Sequence, residues 1–103
     1  MAVAEVSIIP LGTETPSVSK YVARALSILR EEKNLKYELT SMGTIIEGDL
    51  GEILGIVRKM HEAVLEEGVI RVVTSIKIDD RRDKTLSMKG KIESVKKELE
   101  HQV

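Results

Sequence analysis

The segment from Tyr37 to Asp49, Tyr-Glu-Leu-Thr-Ser-Met-Gly-Thr-Ile-Ile-Glu-Gly-Asp, constrains the fold more than any other part of the chain. It reads as a strand, a tight turn at Gly43, a second strand to about Gly48, and the cap of a helix. Asp49 with Glu52 three residues later is a capping box. The second strand carries a hydroxyl, Thr44, and a carboxylate, Glu47, beside Ile45 and Ile46. A purely structural hairpin would fill those positions with Val, Ile or Tyr. Thr and Glu there offer a small polar ligand donors and acceptors on a rigid frame. The plain alternative is a half-exposed strand with one solvated Glu.

The flanking segments supply the rest of the architecture. Val3 to Ile9 alternates with period two, with Ala4, Val6 and Ile8 on one face and Val3, Glu5, Ser7 and Ile9 on the other. Pro10 is expected to end that strand. Thr15-Pro16 is a helix-start signal, and Val18, Tyr21, Val22, Ala25, Leu26 and Leu29 follow at helical spacing, with Asn34 as the left-handed stop. The first strand of the hairpin is expected over Lys36 to Thr40. The second helix buries Leu50, Ile53, Leu54, Val57, Met60, Val64 and Leu65, and Gly68 closes it. Ile70 to Asp79 is a long alternating strand. Ser87 caps a final helix whose stripe of Met88, Ile92, Val95 and Leu99 is narrow, as in an element added onto the main core. The order strand–helix–strand–strand–helix–strand plus a C-terminal helix is the ferredoxin-like, split βαβ arrangement of the α+β class, one domain over residues 1–103. Right-handed crossovers place the first two helices on one face of an antiparallel sheet. The other face, with Glu5, Ser7, Ile9, Ser75 and Lys77, is too apolar for plain solvent and too polar for a deep core. It suits a subunit interface, a ligand site, or both.

Composition removes several functions. The net charge is −1 with charges interspersed, so the basic face of a nucleic-acid binder is missing. Tyr21 and Tyr37 are the only aromatics, too few for base-stacking platforms. The absence of Cys excludes disulfides, thiolate nucleophiles and Cys-ligated metals. No signal-peptide pattern and no apolar run of bilayer length occur, and a cytoplasmic protein without a membrane partner is expected. With neither Phe nor Trp, the core must be aliphatic, and extra burial by self-association is expected.

Chemical motifs are sparse. Gly12 to Lys20 has glycine and hydroxyls between strand and helix, but lacks the Gly-Lys-Ser/Thr ending of a phosphate loop. His61 lies on the apolar face of the second helix. The only other histidine, His101, is in the tail, so a metal site is not expected and a histidine hydrogen-bonded to backbone is. Thr44 and Glu47, three residues apart on a strand, face opposite ways, which weakens them as an acid/base pair. Arg71 suits an ion pair as well as it suits a ligand, and Asp79 to Lys84 reads as a solvated, charge-balanced loop. No Ser–His–Asp order, HExxH or GxSxG is present, so catalytic residues are not expected.

Three blocks resemble one family: Ile9-Pro10-Leu11-Gly12-Thr13 with Pro16-Ser17-Val18-Ser19; Tyr37-Glu38-Leu39 to Met42-Gly43-Thr44-Ile45-Ile46-Glu47-Gly48; and Ile76 to Arg82 with Lys91 to Val95. They are similar to the small thiamine-binding-protein family, over nearly the whole chain from Ala4 to Val95. The resemblance implies a ferredoxin-like fold, dimers pairing into a homotetramer, and binding of thiamine or its hydroxymethylpyrimidine moiety, a thiamine-like pyrimidine, with no catalysis and no cofactor. It also implies ligand-binding roles for Thr44 and Glu47, with Ser41 and Tyr37 on the same hairpin and Pro10 and Thr13 at the border. Glu5, Ser7 and Thr40 supply further suitable groups. Only Tyr37 or Tyr21 could stack on the ring, so Met42 or aliphatic side chains would have to sandwich it. The competing expectation is an oligomeric interaction or regulatory protein without a small ligand.

Overall fold

A computed structural model describes residues 1–14, 18–83 and 87–102. Its elements are β1 (Ala2–Leu11), α1 (Ser19–Arg30), β2 (Lys36–Thr40), β3 (Gly43–Gly48), α2 (Leu50–Glu66), β4 (Arg71–Asp80) and α3 (Met88–His101). The strands form one antiparallel sheet in the order β2-β3-β1-β4, so the ferredoxin-like α+β arrangement is present, with α3 appended. β1 is central at its start, pairing Ala2 with Gly48 on one side and with Asp80 on the other.

Alternation in β1 sorts the two faces. Ala2, Ala4 and Val6 are buried beneath the helices with Ile46, Leu29, Ile53, Ile56, Val57, Met60 and Val64. These aliphatic side chains form the core, and small residues in β1 let α2 approach the sheet closely. The opposite face carries Val3, Glu5, Ser7 and Ile9 in register with Asp79, Lys77, Ser75 and Val73.

Several local expectations are corrected. Pro10 does not end β1, which continues to Leu11. Beyond Val6 the strand has lost β3, and from Ser7 it has β4 alone as a neighbour, an edge-like setting where a residue without an N–H is tolerated. α1 stops at Arg30, and Asn34 is not left-handed: among the described residues only Gly12 and Gly68 have positive φ. Thr15 and Pro16 lie outside the described residues, and Val18 precedes the first helical turn. Gly43 does not supply the turn, which is made by Ser41 and Met42; it opens β3 with ordinary backbone angles. Glycine is required there by proximity, because a Cβ would stand 2.8 Å from the Val6 carbonyl oxygen. Asp49 does cap α2, accepting the Glu52 N–H at 3.2 Å, and Gly68 follows its end with φ 96°. Ser87 caps α3 through the Gly90 N–H at 2.9 Å. α3, however, adds nothing to the core: none of its described residues is buried.

Candidate functional site

The pairing of β3 with β1 ends at Thr44 opposite Val6, whereas β1 runs on to Leu11. That overhang leaves a gap in the sheet's helix-facing layer, roofed by the first turns of α1. The result is a cavity of about 630 Å³, within the range of small-molecule sites. Its floor is Val6, Ile8 and Thr44, its roof is Val18, Tyr21, Val22, Ala25 and Leu26, and its rim is the hairpin tip from Leu39 to Gly43. Met60 of α2 closes the back.

The polar groups here are hydroxyls. Thr40 is engaged by its own turn, its Oγ1 donating to the Gly43 carbonyl at 2.9 Å and accepting the Met42 N–H at 3.3 Å. Thr44 is only 6% exposed, and neither its hydroxyl nor that of Ser41 bonds to another of the described residues. Both are available to a ligand. Tyr21, the aromatic ring of the cavity wall, has the Lys20 Nζ 5.4 Å from its centroid, a cation–π distance. The walls are otherwise aliphatic or thioether, so the site favours a flat, largely uncharged ring with a polar edge.

The residues singled out from sequence fall in different places. Thr44 and Ser41 line the cavity. Tyr37 shares Thr44's face of the sheet but lies on the edge strand β2, outside the lining. Pro10 and Thr13 lie further along the overhanging end of β1 and its loop, also outside it. Glu47 faces the open side, in register with Val3 and Lys36, and is only 8% exposed. Alternation along β3 thus separates Thr44 from Glu47 as the residue count implied. Tyr21 and Met42, expected from sequence as candidates to hold a ring, line the cavity, whereas the sequence did not mark Val22, Leu26 or Met60, since each fits an ordinary helix stripe.

His61 is half-buried and ties α2 to β4, its Nδ1 2.6 Å from the Thr74 Oγ1. The partner is a side-chain hydroxyl instead of the expected backbone group. A second, polar cleft of about 460 Å³ lies at the start of α2, lined by Asp49, Asp80, Arg81, Arg82 and Asp83 among others. Its cations already have partners: Arg81 Nη2 meets Asp83 at 2.8 Å and Arg82 meets Asp80 at 3.1 Å. The Asp83 bond raises the Arg81 pKa above its ordinary value. Among the described residues no cluster of His, Asp or Glu has the geometry to hold a metal ion, and no helix is long and apolar enough to cross a membrane.

Comparison with known proteins adds an independent line. The model of the family described as thiamine-binding protein matches residues 4–96. The UPF0045 protein YqgV of Bacillus subtilis is 52% identical over 103 residues, covering 97% of this chain and 99% of that one. The crystal structure of protein MJ1052 from Methanocaldococcus jannaschii superposes with a TM-score of 0.84 at 48% identity, covering 91% of this chain and 94% of the other. A Thermotoga maritima protein assigned provisionally to thiamine biosynthesis or salvage has the same fold, with a TM-score of 0.75 at 20% identity and coverage of 91% and 97%.

Proposed function

The chain belongs to the thiamine-binding protein family, and from that premise we propose that it binds the aminopyrimidine of thiamine, or hydroxymethylpyrimidine itself, in the cavity between α1 and the hairpin tip. The observation that carries this reading is the pair of unengaged hydroxyls, Thr44 and Ser41, in an otherwise aliphatic chamber of small-molecule size. The ring lies among Tyr21, Leu26 and Met42, with its nitrogen edge toward Thr44 and Ser41. Among the described residues no carboxylate lines the cavity, so the cationic thiazolium is left toward solvent. Glu47, Tyr37, Pro10 and Thr13 have no direct part in this site. The protein binds without turnover: the ring of His61, the residue best suited to proton transfer, is outside the lining and bonded to Thr74.

Self-association into a homotetramer of two dimers in the cytoplasm belongs to the same proposal. It is supported by two uncovered surfaces. β4 is a ten-residue edge strand with exposed Ile76 and Ile78, and the open sheet face exposes Ile9 and Val73. Those surfaces also favour the second reading, an assembly protein with no physiological small ligand.

Calorimetric titration with thiamine and with hydroxymethylpyrimidine separates the two. Thr44→Val removes one neutral hydrogen bond and should weaken binding by about 0.5–1.5 kcal/mol, roughly two- to tenfold. Val22→Phe fills the chamber and should abolish binding, whereas Glu47→Gln should leave it unchanged. No heat from the wild-type protein with either ligand refutes the binding proposal, as does equal affinity in Thr44→Val and Val22→Phe.

A further inference from the structure

The cavity between α1 and the hairpin tip has a positive mouth. Val18 precedes α1 without a side-chain cap, and the first turn holds no acidic residue. Backbone bonding of the helix begins with the Tyr21 and Val22 N–H groups, which both donate to the Val18 carbonyl, at 3.0 and 3.1 Å. The N–H groups of Ser19 and Lys20 have no acceptor among the described residues. Such an uncapped helix N-terminus carries positive partial charge. Lys20 adds a full charge. Its Nζ stands 5.4 Å from the centre of the Tyr21 ring, part of the cavity wall, and among the described residues it has no carboxylate partner.

A helix terminus alone is satisfied by water as readily as by an anion. Thr44 is the independent sign of a ligand. Its side chain lines the same cavity as Val18 and Ser19, is 6% exposed, and bonds to none of the described residues through its hydroxyl. A buried hydroxyl without a partner is costly, so this chamber is shaped for an occupant that brings a polar edge. The Thr44 hydroxyl on the floor and the first turn of α1 on the roof side then face opposite edges of that occupant.

The chemistry of the ring decides what meets α1. In hydroxymethylpyrimidine the hydroxymethyl carbon is attached across the ring from the edge that holds both nitrogens. With the nitrogen edge toward Thr44 and Ser41, that carbon points the other way, to the first turn of α1. In thiamine the same carbon carries the cationic thiazolium, which there meets Lys20 and the positive helix end. A phosphate ester in its place meets two N–H donors, the Ser19 hydroxyl and an ammonium group.

We propose that the ligand class of this cavity is the phosphomonoester of a hydroxymethylpyrimidine, with its ring in the chamber and its phosphate on the Ser19 and Lys20 N–H groups beside the Lys20 ammonium. Backbone donors at a helix start and a lysine act on the same anion, and each such bond is charge-assisted. This rests on the pyrimidine reading above and fixes the charge of the group on the far side of the ring. The ester binds more tightly than the free alcohol, and the alcohol more tightly than thiamine.

The test is calorimetric titration of the full chain with hydroxymethylpyrimidine, its phosphate ester, thiamine and thiamine phosphate. Expected is a preference for the ester over the alcohol of at least about tenfold, narrowing as salt is added because Lys20 is exposed. Lys20→Glu should remove that preference and raise thiamine affinity relative to the alcohol. Lys59→Glu, the same change of net charge on the exposed side of α2, should keep the preference. Both positions are exposed, so the fold should persist, as circular dichroism will show. Thiamine phosphate, whose ester lies beyond the thiazolium, should gain little over thiamine. Equal affinity of the wild-type protein for ester and alcohol overturns the proposal. So does a preference that survives Lys20→Glu, one lost equally in Lys59→Glu, or an equal gain for thiamine phosphate over thiamine. In each of those cases the ring still binds and the pyrimidine reading stands. No binding of any of the four compounds overturns both.

Discussion

Replacing Gly43 with alanine tests how closely β3 lies against β1. The added Cβ would stand 2.8 Å from the Val6 carbonyl oxygen and 3.6 Å from its carbon. An ordinary contact begins at 3.4 Å, so the strands must separate by about 0.6 Å. The opposing atom is backbone, and no rotamer change relieves the clash. Gly43 has no positive φ, so alanine meets no conformational objection and the cost is steric alone. Overpacking of this kind costs about 1–3 kcal/mol, and in a domain of this size each kcal/mol lowers the melting temperature by about 4–8 °C. A fall of at least about 4 °C is therefore expected, and one approaching 20 °C is within range. Thr44, the next residue, moves with the strand, so thiamine affinity should fall as well. Calorimetric melting at matched protein concentration is the assay, since association makes the melting point depend on concentration. A Gly43→Ala protein that melts within about one degree of wild type would show that strand spacing does not select this glycine.

Gly55 should respond in the opposite direction. It sits inside α2 with nothing within 4 Å of a built Cβ, and Gly55→Ala should stabilise by about 0.5–1 kcal/mol, read as a higher melting temperature. His61→Leu removes the bond to Thr74 and should cost about 0.5–1.5 kcal/mol, measured as a lower denaturant midpoint, with ligand affinity intact. Loss of affinity at an unchanged midpoint would place His61 in the binding machinery instead.

The elements were legible because their signals are local. Alternation in Val3–Ile9 and Arg71–Asp79, the Asp49 and Ser87 caps, and the spacing of Ile53, Val57, Met60 and Val64 each lie within one segment. Register parity even told which residues of β3 oppose one another, and Thr44 and Glu47 do point apart. The cavity was not legible in this way. It exists because β1 outlasts its neighbour β3, a mismatch of lengths that appears only once the strands are paired. Val22 and Leu26 line it while looking like any core-facing helix residues. Gly43 was misread for a related reason: a glycine beside a turn signals backbone freedom, whereas its actual constraint comes from Val6, far away in sequence. That α3 adds nothing to the core is likewise a tertiary fact, since a stripe at positions 88, 92, 95 and 99 declares an apolar face without saying which surface receives it.

The central position of β1 also sets the order in which the chain can fold. β1 is made before the other three described strands, and it has no partner within its own neighbourhood. The β2–β3 hairpin closes through a two-residue turn, and α1 and α2 form from local contacts, but Ala2 waits for Asp80 and Leu11 for Arg71. The loop entropy of joining the chain's beginning to its last strand falls due before that pairing yields any stabilisation. Folding of the sheet is therefore governed by its most distant contacts, and it should be slow for so small a domain. Until β4 is made, one side of an alternating, aliphatic strand remains unpaired, which makes the interval between synthesis of Leu11 and of Asp80 the period when the nascent chain is most exposed to mispairing.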